Sequence, residues 1–195
     1  MVALTGLGLA AAAGLNAYIP FLVMALLARF TTVVQLPAGF EWMTSWWAIG
    51  IGALLLASDV LLDKIPAVDS LNDVVQGVLR PATGGLVFAA SQAAADLESS
   101  SWMREHSWVG IVVGVLVAAA VHTTKATVRP MVNVATGGWG APVVSTAEDG
   151  VSLGLSVVAV LVPVLVVVVL AVMVAVVVRL LRRRAARRRS SAAGG

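Results

Sequence analysis

The chain has 195 residues, of which 59% are hydrophobic and only 12% charged, with a formal net charge of +3. A soluble domain is about 45–50% apolar and about 25% charged, and a fold of this size has too much surface to cover with so few charges. Together with a mean hydropathy of +0.97, this excludes soluble-enzyme, DNA-binding and disordered classes and points to an integral membrane protein.

About 20 apolar residues cross a hydrocarbon core of about 30 Å. The charge-poor runs therefore predict five spans, near 3–29, 45–64, 81–96, 107–125 and 150–178. The expected fold class is all-α: about five transmembrane helices in one polytopic domain over 1–178, then an Arg-rich cytoplasmic tail over 179–195.

No Lys or Arg precedes Arg29, and the first apolar run outlasts a signal-peptide core, so it reads as a retained span. It is interrupted by Gly14-Leu15-Asn16-Ala17-Tyr18-Ile19-Pro20. Proline lacks an amide donor and displaces the carbonyl four residues back, here that of Asn16. A freed carbonyl beside an Asn side chain in a broken helix can contact an ion or polar solute. The alternative is a simple kink with Asn16 bonded to a neighbouring helix.

After the second span, Asp69, Asn72, Asp73, Gln76 and Arg80 recur at i, i+3, i+4, i+7 and i+11, which is one face of a helix. Leu71, Val74, Val75, Val78 and Leu79 take the other side. Two readings stand: a helix lying flat at the membrane interface, or a re-entrant helix turning its polar stripe into a pathway. Pro81 is expected to end or kink it. Pro81–Ala95 reaches only about 22 Å as a helix, so the third span is short, re-entrant or extended backwards past Pro81.

The fourth span leads through His122, Lys125, Arg129-Pro130 and Asn133 to Gly137, Gly138, Gly140 and Pro142, where a straight helix is not expected. His122 reads as an interior hydrogen-bonder, a proton shuttle or a metal ligand. Ser145 to Glu148 and Thr146 to Asp149 have the spacing of a capping box before the last span. Asp149, Ser152 and Ser156 also continue down one helical face, which keeps a cavity-lining role open.

Seven of the 13 basic side chains lie between Arg179 and Arg189, leaving six basic against ten acidic groups elsewhere. Such a tail is held on the cytoplasmic side and attracts anionic lipid headgroups. Nucleic acid is not expected, because no folded domain surrounds the tail. Five spans then place the N-terminus outside a bacterial inner (plasma) membrane. Arg29 and Arg104 fall inside, as the rule requires, but Lys64, Arg80, Lys125 and Arg129 fall outside. These four are expected to be held by nearby acids, Asp59, Asp63, Asp69, Asp73, Glu148 and Asp149. The six tryptophans, Trp42, Trp46, Trp47, Trp102 and Trp108 among them near span ends, suit interfacial anchoring. Cysteine is absent, which excludes disulfides, thiolate metal sites and a cysteine nucleophile.

The two polar segments echo each other: Arg80-Pro81-Ala82-Thr83-Gly84-Gly85 against Arg129-Pro130 and Ala135-Thr136-Gly137-Gly138. A duplication would relate two hairpins by a pseudo-twofold axis with a site between them. GLNAYIP, Asp63-Lys64-x-Pro66, Asn72-Asp73, Arg80-Pro81, Lys125 to Arg129-Pro130, Thr136-Gly137-Gly138 and Pro142 to Asp149 together resemble the bacterial membrane family called domain of unknown function 4126. The resemblance covers roughly residues 4–160 and implies a multi-span helical protein with these motifs as its hallmark. It implies no activity.

For function, the Lys125–Arg129-Pro130 pair is similar to the cation pair of membrane lipid phosphatases, but at shorter spacing and without their histidine motifs. The helical His-Glu-x-x-His zinc pattern is also missing, so catalysis is disfavoured and no cofactor or metal is expected. A transporter or channel for a small ion or polar solute is the favoured reading. Its expected contacts are Asn16, Asp69, Asn72, Asp73, Gln76, Arg80, Lys125, Arg129, Asn133, Glu148 and Asp149. The competing reading is a structural or assembly protein whose charges pair only to hold hairpins together. Either leaves room for a homo-oligomer.

Overall fold

Helix α1 (Val2–Leu15) is made almost wholly of Ala, Gly and Leu, and it occupies the place where the other helices meet. The computed structural model describes residues 2–63, 66–91, 106, 108–135, 140–172, 174–175 and 178–179, with backbone alone at 2, 66–71, 73, 128–135 and 141. After α1 come α2 (Tyr18–Phe30), a 3-10 turn (Glu41–Thr44), α3 (Trp46–Leu62), α4 (Pro66–Ala90), α5 (Trp108–Ala135) and α6 (Gly140–Leu161). Helical backbone resumes over 164–172, and the described residues contain no strand.

Helix axes approach only as closely as their contact side chains allow, and α1 presents little to hold neighbours off. Leu9 and Ala10 to Ala13 are fully enclosed. Gly6 faces Phe88 and Ser91 of the α4 end, Gly8 faces Ala159 of α6, and Gly14 faces Ala118 and Val121 of α5. Gly84 of α4 and Gly114 of α5 meet backbone to backbone, with Phe88 packed over Gly110 and Gly114.

These contacts fix the direction of every helix. Ala12 pairs with Ser152 and Asn16 with Asp149, while Gly8 lies by Ala159; α1 and α6 are antiparallel. Asp63 meets Ser145, and Asp59 shares Asn16 with Asp149; α3 is antiparallel to α6 as well. Gly52 packs on Phe21 and Leu22, and Phe30 meets Trp46; α2 is antiparallel to α3. It follows that α1 and α2 run in opposite senses.

This corrects the first expected span. Residues 3–29 are not one kinked crossing but two helices of about 20 Å each that turn back at Asn16-Ala17. Pro20 lies in the first turn of α2, where backbone amides have no helical partner anyway, so it breaks nothing. The shared lower end of α2 and α3 is tied by aromatics: the Arg29 guanidinium lies over the Trp46 ring at 4.1 Å, Phe21 meets Trp42, and Trp42 stacks on Trp47.

The second expected span, 45–64, corresponds to α3. The first polar segment is helical throughout its described length, and the second is helical as far as Ala135, the expected break at Gly137-Gly138 lying outside the described residues. α4 passes straight through Pro81 at the loss of one bond to the Gly77 carbonyl, so the third span is the one extended backwards. α5 likewise continues through Pro130 to Ala135. The span expected over 150–178 begins earlier, at Gly140, and is broken at Val162-Pro163, with helical backbone resuming over 164–172. The Arg-Pro echo also dissolves in space: Arg80-Pro81 is mid-helix in α4, whereas Arg129-Pro130 lies in the final turns of α5. Thr136 to Trp139 and the expected end of the third span at 96 lie outside the described residues.

Two stretches, Trp108–Thr127 and Pro142–Leu161, are long and apolar enough to cross a membrane, while Ala3–Leu15, Tyr18–Phe30, Trp46–Leu62 and Val74–Ala90 are shorter apolar helices. The polarity of α4 is inverted relative to a soluble amphipathic helix: Val74, Val75 and Val78 are exposed, whereas Gln76 and Arg80 are enclosed.

The glycine contact between α4 and α5 generates a test. A Cβ on Gly114 would meet the Gly84 backbone and Phe88 Cβ, whereas one on Gly154 would meet nothing within 4 Å. Gly114→Val should therefore lower the melting temperature of the purified protein, at an overpacking cost of at least about 1–3 kcal/mol. Gly154→Ala should leave it unchanged or raise it, by up to about 1 kcal/mol of helix propensity.

Candidate functional site: a polar cluster at the helix reversal

The site begins with one side chain. In an uninterrupted helix the amides of Tyr18 and Ile19 would bond the carbonyls of Gly14 and Leu15. Instead, Asn16 Oδ1 accepts both, at 2.9 and 3.3 Å, which caps α2 in the manner of an N-terminal Asn. This releases the carbonyls of Gly14 and Leu15, in addition to the Asn16 carbonyl to which Pro20 cannot donate, and it is the Leu15 carbonyl that a cation reaches. Lys125 Nζ donates to it at 3.3 Å.

Asn16 Nδ2 then donates to two carboxylates, Asp59 Oδ2 at 3.1 Å and Asp149 Oδ1 at 2.9 Å. One amide thus joins the α1–α2 reversal to α3 and α6. Asp59 and Asp63 lie one turn apart on the same face of the α3 end, and both are almost fully buried. From α4, Asn72 Nδ2 donates to Asp59 Oδ1 at 2.7 Å and to Asp63 Oδ1 at 2.8 Å. One turn on, Gln76 Nε2 donates to Asp59 Oδ1 at 2.7 Å and to the Tyr18 hydroxyl at 3.5 Å. Asp59 is therefore held by three neutral amides, one from the α1–α2 reversal and two from α4. Ser145 Oγ of α6 donates to Asp63 Oδ2 at 3.1 Å.

The cations sit at the edge of this carboxylate group. Lys125 Nζ pairs with Glu148 Oε2 at 2.8 Å. Arg80 has no solvent exposure, and its Nη1 donates to His122 Nδ1 at 3.1 Å. A guanidinium has donors only, so His122 must accept there, with its ring proton on Nε2. No group of three or more His, Cys, Asp or Glu suited to a metal ion occurs among the described residues.

Of the residues expected from sequence, the structure gathers Asn16, Asn72, Gln76, Arg80, Lys125, Glu148 and Asp149 into one cluster. The side chains of Asp69, Asp73, Arg129 and Asn133 lie outside the described residues. Glu148 and Asp149 do not cap a helix: α6 starts at Gly140, and they sit two turns inside it, bonded to Lys125 and Asn16. Arg80 meets a histidine rather than an acid. Sequence reasoning named Asp59 and Asp63 as charge partners but not as site residues, and it missed Tyr18 and Ser145. The available signal was the i, i+4 spacing of Asp59 and Asp63 on a helix otherwise free of charge, which puts both on one face.

With this geometry in place, the chain can be set beside known proteins. Residues 3–183 match the family described as domain of unknown function 4126. The chain belongs to that family. The family match runs from α1 through α6 and into the basic tail, beyond the 4–160 that carry the recognisable motifs, so every member of the cluster lies within it. No curated protein and no solved structure matches the chain.

Two substitutions test the cluster. Asn16→Ala removes the α2 cap and leaves Asp59 and Asp149 each short of a donor. Hydrogen bonds to charged groups contribute about 1.5–3 kcal/mol, so the purified variant should melt well below wild type. Lys125→Gln should also destabilise, by about 3–5 kcal/mol for an uncompensated buried charge. Adding Glu148→Gln should recover part of that loss. If the double variant melts no higher than Lys125→Gln, the two side chains do not act as a pair.

Proposed function

We propose that this is a polytopic membrane protein that binds and moves a small ion or polar solute through its polar cluster. The observation that carries the reading is inverted polarity. Large apolar side chains such as Leu54, Val74, Val78, Leu116 and Val143 are exposed, while Asn16, Asp59, Asp63, Gln76, Arg80 and Lys125 are buried. Ionisable groups inside an apolar envelope are expensive and mark solute pathways or proton relays by default. They are assembled here around a helix reversal whose backbone carbonyl is already used by a cation, the arrangement that broken helices provide in transporters.

A structural reading has one specific observation in its favour. Asp59 is fully engaged by amides, as a scaffold would require. The transport reading is preferred because Arg80 Nε and Nη2 and Gln76 Oε1 are buried without a hydrogen-bond partner among the described residues, which a pure scaffold has no reason to maintain.

The helix directions also revise the proposed topology. With α1 and α2 turning back on each other, they form a re-entrant hairpin, and α3 to α6 supply four crossings. The N-terminus then lies on the same side as Arg29, the aromatic group at Trp42, Trp46 and Trp47, and the link carrying Arg104. We assign that side to the cytoplasm by the distribution of basic residues. Its exposed tryptophans suit an interfacial belt, and the basic tail suits anionic lipid.

The chain has no native cysteine, so single cysteines report topology directly. With an impermeant reagent on intact cells, Gly138→Cys should label, whereas Ala3→Cys and Thr32→Cys should label only after lysis. Labelling of Ala3→Cys in intact cells would restore an outside N-terminus and remove the hairpin.

For transport, purified protein in liposomes should pass an ion or solute faster than empty liposomes. Asp149→Asn keeps an oxygen for Asn16 but removes the charge. It should melt near wild type and lose most of the flux. If wild type moves nothing across a broad ion and metabolite panel, and none stabilises it, the structural reading replaces this one. A ligand at about 100 times its dissociation constant would stabilise by about 2.7 kcal/mol, well within a thermal-shift screen.

A further inference from the structure

Arg80 is the largest fully buried side chain among the described residues, and only one of its three nitrogens is engaged there. Nη1 donates to His122, while Nε and Nη2 have no hydrogen-bond partner among the described residues. Those two are not an arbitrary pair. They lie on one edge of the planar guanidinium with their N–H bonds parallel, the fork that receives both oxygens of a carboxylate or phosphate. His122 holds the opposite end and thereby orients the open edge. A buried cation with an unused fork is costly unless something fills it.

One turn earlier on the same face of α4, Gln76 is buried as completely. Its amide orientation is fixed, because Nε2 must point to Asp59 Oδ1; the flipped amide would set oxygen against carboxylate. Gln76 Oε1 is consequently turned elsewhere and has no partner. Gly77 follows it, and a Cβ there would meet, among the described residues, only His122 Nε2 at 3.5 Å. The absent side chain leaves the space between α4 and α5 next to His122, the residue that holds Arg80, without a side chain from α4 at this position.

We propose that Arg80 and Gln76 form the binding point for a monoanionic oxyanion that carries its own hydrogen-bond donor. The Arg80 fork takes two oxygens of the anion, and Gln76 Oε1 accepts from a hydroxyl or ammonium group on the same solute. Hydrogen carbonate, dihydrogen phosphate, a hydroxy-carboxylate and an amino acid share this chemistry. The single charge follows from the surroundings. Arg80 brings one positive charge to a cluster that already holds Asp59, Asp63 and Asp149, and Lys125, the other described cation there, is paired with Glu148. The inference rests on the transport reading for its physiological meaning, but the binding site itself does not require flux.

The test is calorimetric titration of the purified wild type with glycolate, hydrogen carbonate, dihydrogen phosphate, glycine, acetate and chloride. At least one of the first four should bind at one per chain, about tenfold or more tighter than acetate, which offers the fork two oxygens but gives Gln76 no donor. The member that binds identifies the solute class. Arg80→Lys keeps a positive charge but loses the fork, and it should weaken that binding about tenfold or more. Absence of binding by every oxyanion overturns the proposal. So does acetate or chloride binding as tightly as the donor-bearing anions, or Arg80→Lys binding like wild type. Should Arg80→Lys fail to fold, the ranking of glycolate against acetate on the wild type decides alone. Binding without liposome flux keeps this site and removes transport. Cation flux unchanged by Arg80→Lys, with no oxyanion binding, removes this site and keeps transport.

Discussion

Everything in this fold hangs on the choice made by the Asn16 side chain. Its oxygen takes the amides of Tyr18 and Ile19 away from the helix, which stops α1, starts α2 and reverses the chain within two residues. Its nitrogen then faces two carboxylates on helices that are distant in sequence, Asp59 and Asp149. No other neutral side chain of that size has both an acceptor for the backbone and two donors for the acids. A serine would cap the helix but could donate only once. An aspartate would cap it and repel both partners. The reversal and the cluster are therefore one event, and the Leu15 carbonyl it releases adds Lys125 to the same place.

Holding that many polar groups together requires the helices to come close, and α1 makes this geometrically feasible. Its alanines and glycines leave no side-chain layer between it and α4, α5 and α6, and the Gly84–Gly114 contact draws α4 onto α5 without one either. Close axes bring short side chains within hydrogen-bond range: Ser152 reaches the Ala12 carbonyl at 3.0 Å, and Asn72 reaches two acids at once. Larger residues on α1 would widen the gaps to the point where only long side chains or water could bridge them. The small-residue helix and the dense polar cluster are two consequences of one spacing.

This explains which parts could be read from sequence. The stripe of Asn72, Gln76 and Arg80 was legible because it repeats with helical period and opposes a run of valines. The first apolar run was misjudged because a reversal leaves no periodic mark. Both halves are equally hydrophobic, and Pro20 draws attention to itself although Asn16, four residues earlier, does the work. Glu148 and Asp149 looked like caps because Ser145 and Thr146 precede them at the right spacing. That pattern is local, whereas the true helix start at Gly140 depends on a segment rich in glycine that gives no clear signal. Asp59 and Asp63 read from sequence only as charge partners, because charge at the end of an apolar helix usually means the edge of a membrane, and only tertiary contact reveals that they point inward.

The cluster is not uniform, and the gradient across it separates scaffold from site. On the side of Asn16, every donor and acceptor finds a partner from another element: Asp59 has three amides, Asp63 has an amide and a hydroxyl, and Lys125 has a carboxylate and a carbonyl. Asp59, Asp63 and Lys125 thereby hold the helix reversal in place. On the side of α4 that faces His122, the fork of Arg80 and the oxygen of Gln76 are left over. These two groups share a helix with Asn72, so the same element that is clamped at one end by Asp59 and Asp63 presents its unused groups one and two turns further along. A rigid carboxylate anchor next to an open cation edge is how a protein holds a charged ligand without rearranging itself. The burial of Arg80 is then no anomaly of an apolar protein, because the anchor fixes in advance the position at which its charge is to be met.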